Sequence, residues 1–262
     1  KRSKPKTTGI IKFMAESKKG LGGITNRVLD ILFPPNCIVC GKERFWCCQN
    51  CLDAIECVNR DPCSRCGSLK FEHDCKFVIH NLELVTRLDG LVAMTFYHNP
   101  QLRRLLHGLK YKYATCLIPS VGQILNRYKN QRLDPWPWAG ESQLSIQAVI
   151  GSPKRIRARG FDQAELLRDL VKSEFLPWAE TVSLLDRRQS IQAQADLKPG
   201  PLRNANVSGV FSFKDQGSAQ VPKAVVLVDD VFTSGATMLD AARALKSAGV
   251  EKVYGLVLAI GA

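Results

Sequence analysis

From about residue 91 onward, short apolar runs alternate with stretches of helical period. Residues 91–97, 146–150, 225–228 and 252–260 are predicted as strands. Continuous β-formers bounded by turn residues suit strands buried on both faces, as in a parallel sheet. Between them, residues 99–110 place Leu102, Leu105, Leu106 and Leu109 on one helical face. Residues 119–128 and 238–247 read as further helices, and another begins near Asp162, with Glu165 at the capping-box position. Residues 207–213 alternate with period two, as a strand does. This βα repetition predicts an α/β fold with a mostly parallel sheet flanked by helices.

The N-terminal third follows another pattern. Residues 1–23 are polar and lysine-rich and read as disordered. Residues 24–33 read as a short amphipathic helix stopped by Pro34 and Pro35, and a cysteine-rich module follows. The expected organisation is a basic segment over 1–23, a helix plus cysteine module over 24–85, and the α/β domain over 86–262.

Two stretches carry candidate chemistry in the α/β part. Asp229 and Asp230 follow the apolar run at 225–228, where that strand is expected to end, and Thr233, Ser234, Gly235, Ala236 and Thr237 form a loop of small residues entering a helix. Paired carboxylates beside amide-rich backbone at a helix start suit a ligand with neighbouring hydroxyls and a phosphate. Lys154, Arg155, Arg157 and Arg159 are four cations in six residues after the strand at 146–150; they read as a loop able to receive a pyrophosphate. His98 and His107 have no partner visible in sequence, and residues 134–145 read as a surface loop.

Composition narrows the class: 45% hydrophobic and 23% charged residues describe a globular chain. No apolar run approaches the roughly 20 residues that span a bilayer. No apolar segment precedes a cleavage site near the start, so a secretory signal is not expected and a cytoplasmic location is. The net charge of +13 divides as +6 over residues 1–36, −1 over 37–85 and +8 over the remainder. Two basic regions fit a polyanionic partner, nucleic acid being the usual one. Phe45, Trp46, Trp136 and Trp138 are candidates for stacking on bases, with hydrophobic packing as the alternative.

Nine of the ten cysteines lie between Cys37 and Cys75. Clustering in CxxC pairs points to metal rather than disulfides. Cys37, Cys40, Cys48 and Cys51 form two knuckles that complete a tetrahedral zinc site, Cys48 rather than Cys47 keeping the CxxC spacing. Cys63 and Cys66 open a second half, for which His73 and Cys75 are the remaining candidate ligands, a metal-free ribbon being the alternative.

The stretch VVLVDDVFTSGAT matches the phosphoribosyl-pyrophosphate (PRPP) motif of type I phosphoribosyltransferases. Joined to the paired knuckles, the Phe33–Pro35 entry, Arg159-Gly160-Phe161-Asp162-Gln163-Ala164 and the Arg203/Asn206 pair, it resembles the ComF family: a double zinc ribbon fused to a phosphoribosyltransferase domain. Asp162 stands where the family has Asn, the family's Thr-x-x-Gln element is blurred across Ser190, Gln192 and Gln194, and the second zinc site lacks a cysteine. The resemblance implies PRPP and Mg²⁺ as ligands, with Asp229 and Asp230 catalytic. It also implies PRPP contacts from Thr233 to Thr237 and from Arg155, Arg157 and Arg159, and Zn²⁺ in the ribbon. It further implies a part in natural competence, with incoming single-stranded DNA and the DNA-uptake or recombination proteins as partners. A phosphoribosyltransferase acting on another acceptor, with no DNA role, is the alternative.

Overall fold

The computed structural model describes residues 35–70, 87–110, 114–188, 209–214 and 220–261. The helix expected at 24–33, His73, Cys75, Arg203 and Asn206 lie outside these residues, as does the stretch from Ser190 to Gln194.

Five strands form one sheet in the order β1-β7-β6-β2-β3, every neighbouring pair parallel. They are β1 (Gly90–Phe96), β2 (Ser145–Ala148), β3 (Glu180–Thr181), β6 (Ala224–Phe232) and β7 (Lys252–Ile260). A two-stranded antiparallel ribbon, β4 (Leu185–Arg187) with β5 (Phe211–Phe213), lies outside it. The central strands β6 and β7 are apolar on both faces because helices cover both. Val226, Val228, Leu256 and Leu258 pack with the helices of one side, and Val225, Leu227, Val253 and Val257 with the helix at Ala236–Ser247 on the other.

The expected helices form, with bounds set by local chemistry. Helix α2 (Pro100–Leu109) starts at Asn99, whose side chain accepts the Leu102 N–H, with Pro100 in the first turn. Its four leucines are all buried. Helix α3 (Ala114–Gln131) extends beyond the predicted 119–128 on both sides and carries Pro119 inside it, at the loss of one backbone hydrogen bond. Helix α5 (Gln163–Phe175) is capped by Asp162. Glu165 does not reach back to close a capping box; it lies 3.8 Å from Arg168 instead. Helix α6 (Ala236–Ser247) connects β6 to β7.

Two expectations are corrected. The basic stretch after β2 is not a loop: Pro153–Arg159 forms helix α4, started by Ser152 and Pro153 and ended by Gly160 at φ +82°. Nor do residues 134–138 all lie on the surface: Asp134 and Pro135 are exposed, but the two tryptophans turn inward. Trp138 is buried, Trp136 stacks on it at 5.3 Å, and both join the core beside Tyr254 and Phe175. The segment is a loop, as its prolines predict, but Pro137 closes over Gly90, where a methyl would sit 2.5 Å from its Cβ.

The cysteine module docks on α2, α3 and β1. Its short helix α1 (Gln49–Asp53) contributes Cys51 and Leu52 to the core that contains Val92 and Met94 of β1. Arginines of the two long helices grip its backbone. Arg104 donates to the Val39 carbonyl, and Arg127 to those of Leu52 and Ile55. The Val58 N–H bonds the Met94 carbonyl at 2.9 Å, which fixes the module over the carboxyl end of β1.

Candidate ligand site and metal centre

From β2 the chain passes through α4 and α5 to β3 on one side, while from β6 it passes through α6 to β7 on the other. The crevice between the carboxyl ends of β2 and β6 is therefore a topological switch point, the usual ligand position in an open parallel sheet. A cavity of about 200 Å³ occupies it, bordered by Gly151, Arg155, Arg159, Asp162, Arg187, Lys110, Asp229, Asp230 and Thr237.

The acidic pair owes its placement to a difference in strand length. Strand β6 does not end before Asp229; it stays paired with β7 through Asp229–Val257, Val231–Ala259 and Phe232–Ile260. Its other neighbour stops early, with Ala148 opposite Val228 as the last pair and a final Val149 N–H to Val228 carbonyl bond at 2.8 Å. Both aspartates thus project where one flank of β6 has just been vacated. The Asp229 carboxylate accepts the Asp230 N–H at 2.8 Å, and the Asp230 carboxylate lies 3.4 Å from Lys110 Nζ. Burial, and then the neighbouring Asp230 charge, hold the Asp229 carboxyl well above the usual carboxylate range.

Beyond the acids the backbone turns sharply. Thr233, Ser234, Gly235, Ala236 and Thr237 line a small recess that also touches Asp229. Gly235 adopts φ +73° as the residue before α6, and the Ser234 hydroxyl accepts the Ala236 N–H at 3.4 Å. Amide groups at the start of a twelve-residue helix are suited to an anion.

The opposite wall is cationic, and helical period explains its membership. Arg155 and Arg159, four apart on α4, border the cavity, whereas Arg157 on another face of the helix does not. The loop beneath α4 is held by Asp162, which accepts the Gly151 N–H at 2.7 Å and the Ala164 N–H at 2.9 Å. Asp162 therefore fixes the exit of β2 as well as capping α5.

Arg187 joins the site although the sequence alone did not assign it there. Its guanidinium donates to the Ile150 carbonyl at 2.9 Å, rests 5.2 Å from the Phe211 ring centroid and borders the cavity. Burial, then the like charge of Arg155, push its pKa down. A half-buried guanidinium facing a second one is an arrangement that an anion would relieve. The available signal was its position in a strand with Leu185 inward, a pattern too short to read.

A second, wider cavity of about 790 Å³ adjoins the first through Lys110. Tyr97, Arg103, Arg104 and His107 border it together with Ile38 of the cysteine module, and Arg103 lies over the Tyr97 ring at 6.0 Å. No carboxylate borders it among the described residues. His98, by contrast, packs on Phe96 at 5.3 Å.

Cys37, Cys40, Cys48 and Cys51 converge, their sulfurs all within 4.8 Å of one another. Cys40 Sγ and Cys48 Sγ are 3.5 Å apart, near the ~3.8 Å that a tetrahedral zinc with bonds of about 2.3 Å imposes. The donor set suits Zn²⁺. Burial works against a Cys37 thiolate, but N–H groups of Cys40, Cys48 and Val39 prevail and bring its pKa down to about 6. Cys47 stands outside the cluster; burial, then the Cys37 and Cys48 charges, push it up to about 12. Cys63 and Cys66 form a second turn, with Gly67 at φ +75°.

The double zinc ribbon domain family matches residues 28–79. The chain is also 29% identical over 108 residues to competence protein ComFC of Streptococcus pneumoniae. That match covers 40% of this chain and 44% of the relative, so it spans less than half the relative's length. With the four-cysteine site and the parallel sheet in place, these matches support a zinc-ribbon module in this chain and a likeness to ComF-family proteins.

Proposed function

We propose that the chain binds PRPP with Mg²⁺ at the switch-point crevice, in the manner of type I phosphoribosyltransferases, and serves natural competence in the cytoplasm. One observation carries the reading: an acidic pair, an amide turn and a cationic wall border connected recesses at the carboxyl ends of β2 and β6. Asp229 and Asp230 accept hydrogen bonds from the ribose 2′- and 3′-hydroxyls. The amides and hydroxyls from Thr233 to Thr237 hold the 5′-phosphate. Arg155, Arg159 and Arg187 balance the pyrophosphate charge. Oxygen donors at this end of the crevice suit a hard divalent cation, and Mg²⁺ supplies further neutralisation of the pyrophosphate.

In a transfer, the bond from the anomeric carbon to pyrophosphate breaks and the pyrophosphate leaves with the electron pair. The acceptor then forms a new bond to that carbon. The protein's contribution is alignment and charge stabilisation of an oxocarbenium-like state. The test is calorimetric titration of PRPP with Mg²⁺ into the zinc-replete protein and into Asp229→Asn/Asp230→Asn. Binding by the first and not the second is expected; no binding by the wild type overturns the reading.

The wider cavity favours a second activity, the handling of single-stranded DNA together with DNA-uptake or recombination proteins. Arg103, Arg104 and Lys110 suit phosphates and Tyr97 suits a base, with no bordering carboxylate among the described residues to repel the strand. Oligonucleotide affinity is expected to fall steeply with salt and to drop in Arg103→Glu/His107→Glu. If binding is absent at low salt, the chain is instead a phosphoribosyltransferase acting on another acceptor.

A further inference from the structure

Two of the three described CxxC turns, Cys37–Cys40 and Cys63–Cys66, are built alike. The Cys37 N–H bonds the Lys42 carbonyl at 2.8 Å and the Gly41 N–H bonds the Cys37 carbonyl at 2.8 Å. In the second turn the Cys63 N–H bonds the Ser68 carbonyl at 2.8 Å and the Gly67 N–H bonds the Cys63 carbonyl at 2.9 Å. Both glycines are left-handed, at φ +80° and +75°.

They differ in what they face. A methyl added at Gly41 would meet no atom within 4 Å. One at Gly67 would lie 2.9 Å from Cε1 and 3.0 Å from Cδ1 of Phe232, and 3.2 Å from Ile260 Cδ1. The same Phe232 ring fills the space at Gly235, where a methyl would sit 2.3 Å from its Cζ. Phe232 is the last residue of β6 and is only 2% exposed. One ring therefore faces the Cys63–Cys66 knuckle at Gly67 and the turn before α6 at Gly235.

From this contact we infer that Phe232 is a positioning residue, a wedge through which the Cys63–Cys66 knuckle sets the geometry of the phosphate-binding turn. The identity of the phosphate ligand rests on the function proposed above. Close-packed interiors pass displacement on rather than absorb it, so a shifted ring moves Gly235 and the amides behind it. Arg155 and Arg187 stand on α4 and β4, and neither borders the recess that Phe232 and Gly235 line. Displacement should thus cost the 5′-phosphate subsite and spare the pyrophosphate wall.

The experiment compares the full chain with Gly67→Ala, Gly41→Ala and Phe232→Leu. Backbone hydrogen exchange is followed at residues 233–237, and calorimetry measures PRPP, ribose 5-phosphate and inorganic pyrophosphate. Gly67→Ala is expected to accelerate exchange in the turn and weaken ribose 5-phosphate and PRPP by about tenfold, leaving pyrophosphate unchanged. Gly41→Ala carries the same left-handed strain without the contact and leaves all readings at wild-type values. Phe232→Leu reproduces the Gly67→Ala pattern without altering the knuckle. The inference is overturned if the two glycine variants behave alike, or if Phe232→Leu leaves the turn's exchange unchanged. Should the wild type bind no sugar phosphate, the proposed function fails while the exchange comparison still decides the wedge.

Discussion

Arg132 holds the Asp61 carboxylate through both terminal nitrogens, Nη1 to Oδ1 at 2.6 Å and Nη2 to Oδ2 at 2.7 Å. The pair ties the cysteine module to the chain just beyond α3. Arg132 also donates to the Tyr128 hydroxyl and the Pro135 carbonyl, and stacks 4.6 Å from the Trp136 centroid. Burial opposes the charged guanidinium, but the Asp61 hydrogen bonds outweigh it and the Arg132 pKa is raised.

The two partners are unequally exposed, 5% for the Arg132 side chain against 29% for Asp61. Removing the carboxylate strands a buried cation, whereas removing the guanidinium leaves an acid that water can reach. Asp61→Ala is expected to cost about 3 kcal/mol in urea unfolding, and Arg132→Met about half of that. Equal losses, or a cost near zero for Asp61→Ala, would show that the pair does not fasten the module.

The zinc site makes a prediction that separates adjacent cysteines. Cys48 lies in the cluster and its N–H reaches Cys37 Sγ at 3.3 Å, while Cys47 is buried outside the cluster. Cys48→Ser should lose the metal of the first site and expose the core that Cys37 and Cys51 share with β1. Cys47→Ala should retain it at a cost of about 1 kcal/mol for the lost packing. Metal content per chain after gel filtration distinguishes the two; equal zinc loss in both would contradict the assignment.

Much of this arrangement was legible in the chain because its signals are local. CxxC spacing identified the four ligands, and apolar runs located the four long or central strands within a few residues. Three features were hidden by tertiary context. Period alone would have separated Arg155 and Arg159 from Arg157, but Gly and Pro flanking the basic stretch argued for a loop. Trp136 and Trp138 lay among prolines that suggest a surface turn, and only packing against Tyr254 and Phe175 places them inside. Strand β6 reads as ending at Asp229 because its apolar residues end there. In the fold it continues, since pairing with β7 needs backbone and not apolar side chains.

Asp229 should show a conflict between stability and ligand binding. Its folded carboxyl pKa is raised by burial and by Asp230, so the folded chain holds that proton more tightly than the unfolded chain does. The associated stability is full below the unfolded pKa and is lost as pH rises through the folded value. Asp229→Asn is therefore expected to stabilise the ligand-free protein by about 1 kcal/mol at pH 8 and to flatten its stability on the acid side. PRPP affinity should fall at least tenfold in the same variant, because an amide accepts the ribose hydroxyls less well than a carboxylate. Thermal unfolding across pH, read beside calorimetry, checks both halves. A variant less stable than wild type at pH 8 would refute the electrostatic account.

Arg187 offers the sharpest separation within the proposed crevice. It borders the cavity from β4, held by Ile150 and Phe211, on the wall assigned to pyrophosphate. Ribose 5-phosphate lacks the pyrophosphate but shares the ribose and the 5′-phosphate with PRPP. Arg187→Met should weaken PRPP by about tenfold or more, the loss of a charge-assisted contact, while ribose 5-phosphate affinity stays within about twofold. Relief from the Arg155 charge should leave the variant's stability close to that of the wild type. Arg157→Met, on a helical face that does not border the cavity, serves as the matched control and should bind both ligands as the wild type does. Parallel loss of both ligands in Arg187→Met would mean that the side chain supports the fold of the loop after β2. Equal effects of Arg157→Met and Arg187→Met would mean that the cationic wall acts by net charge, without a defined subsite.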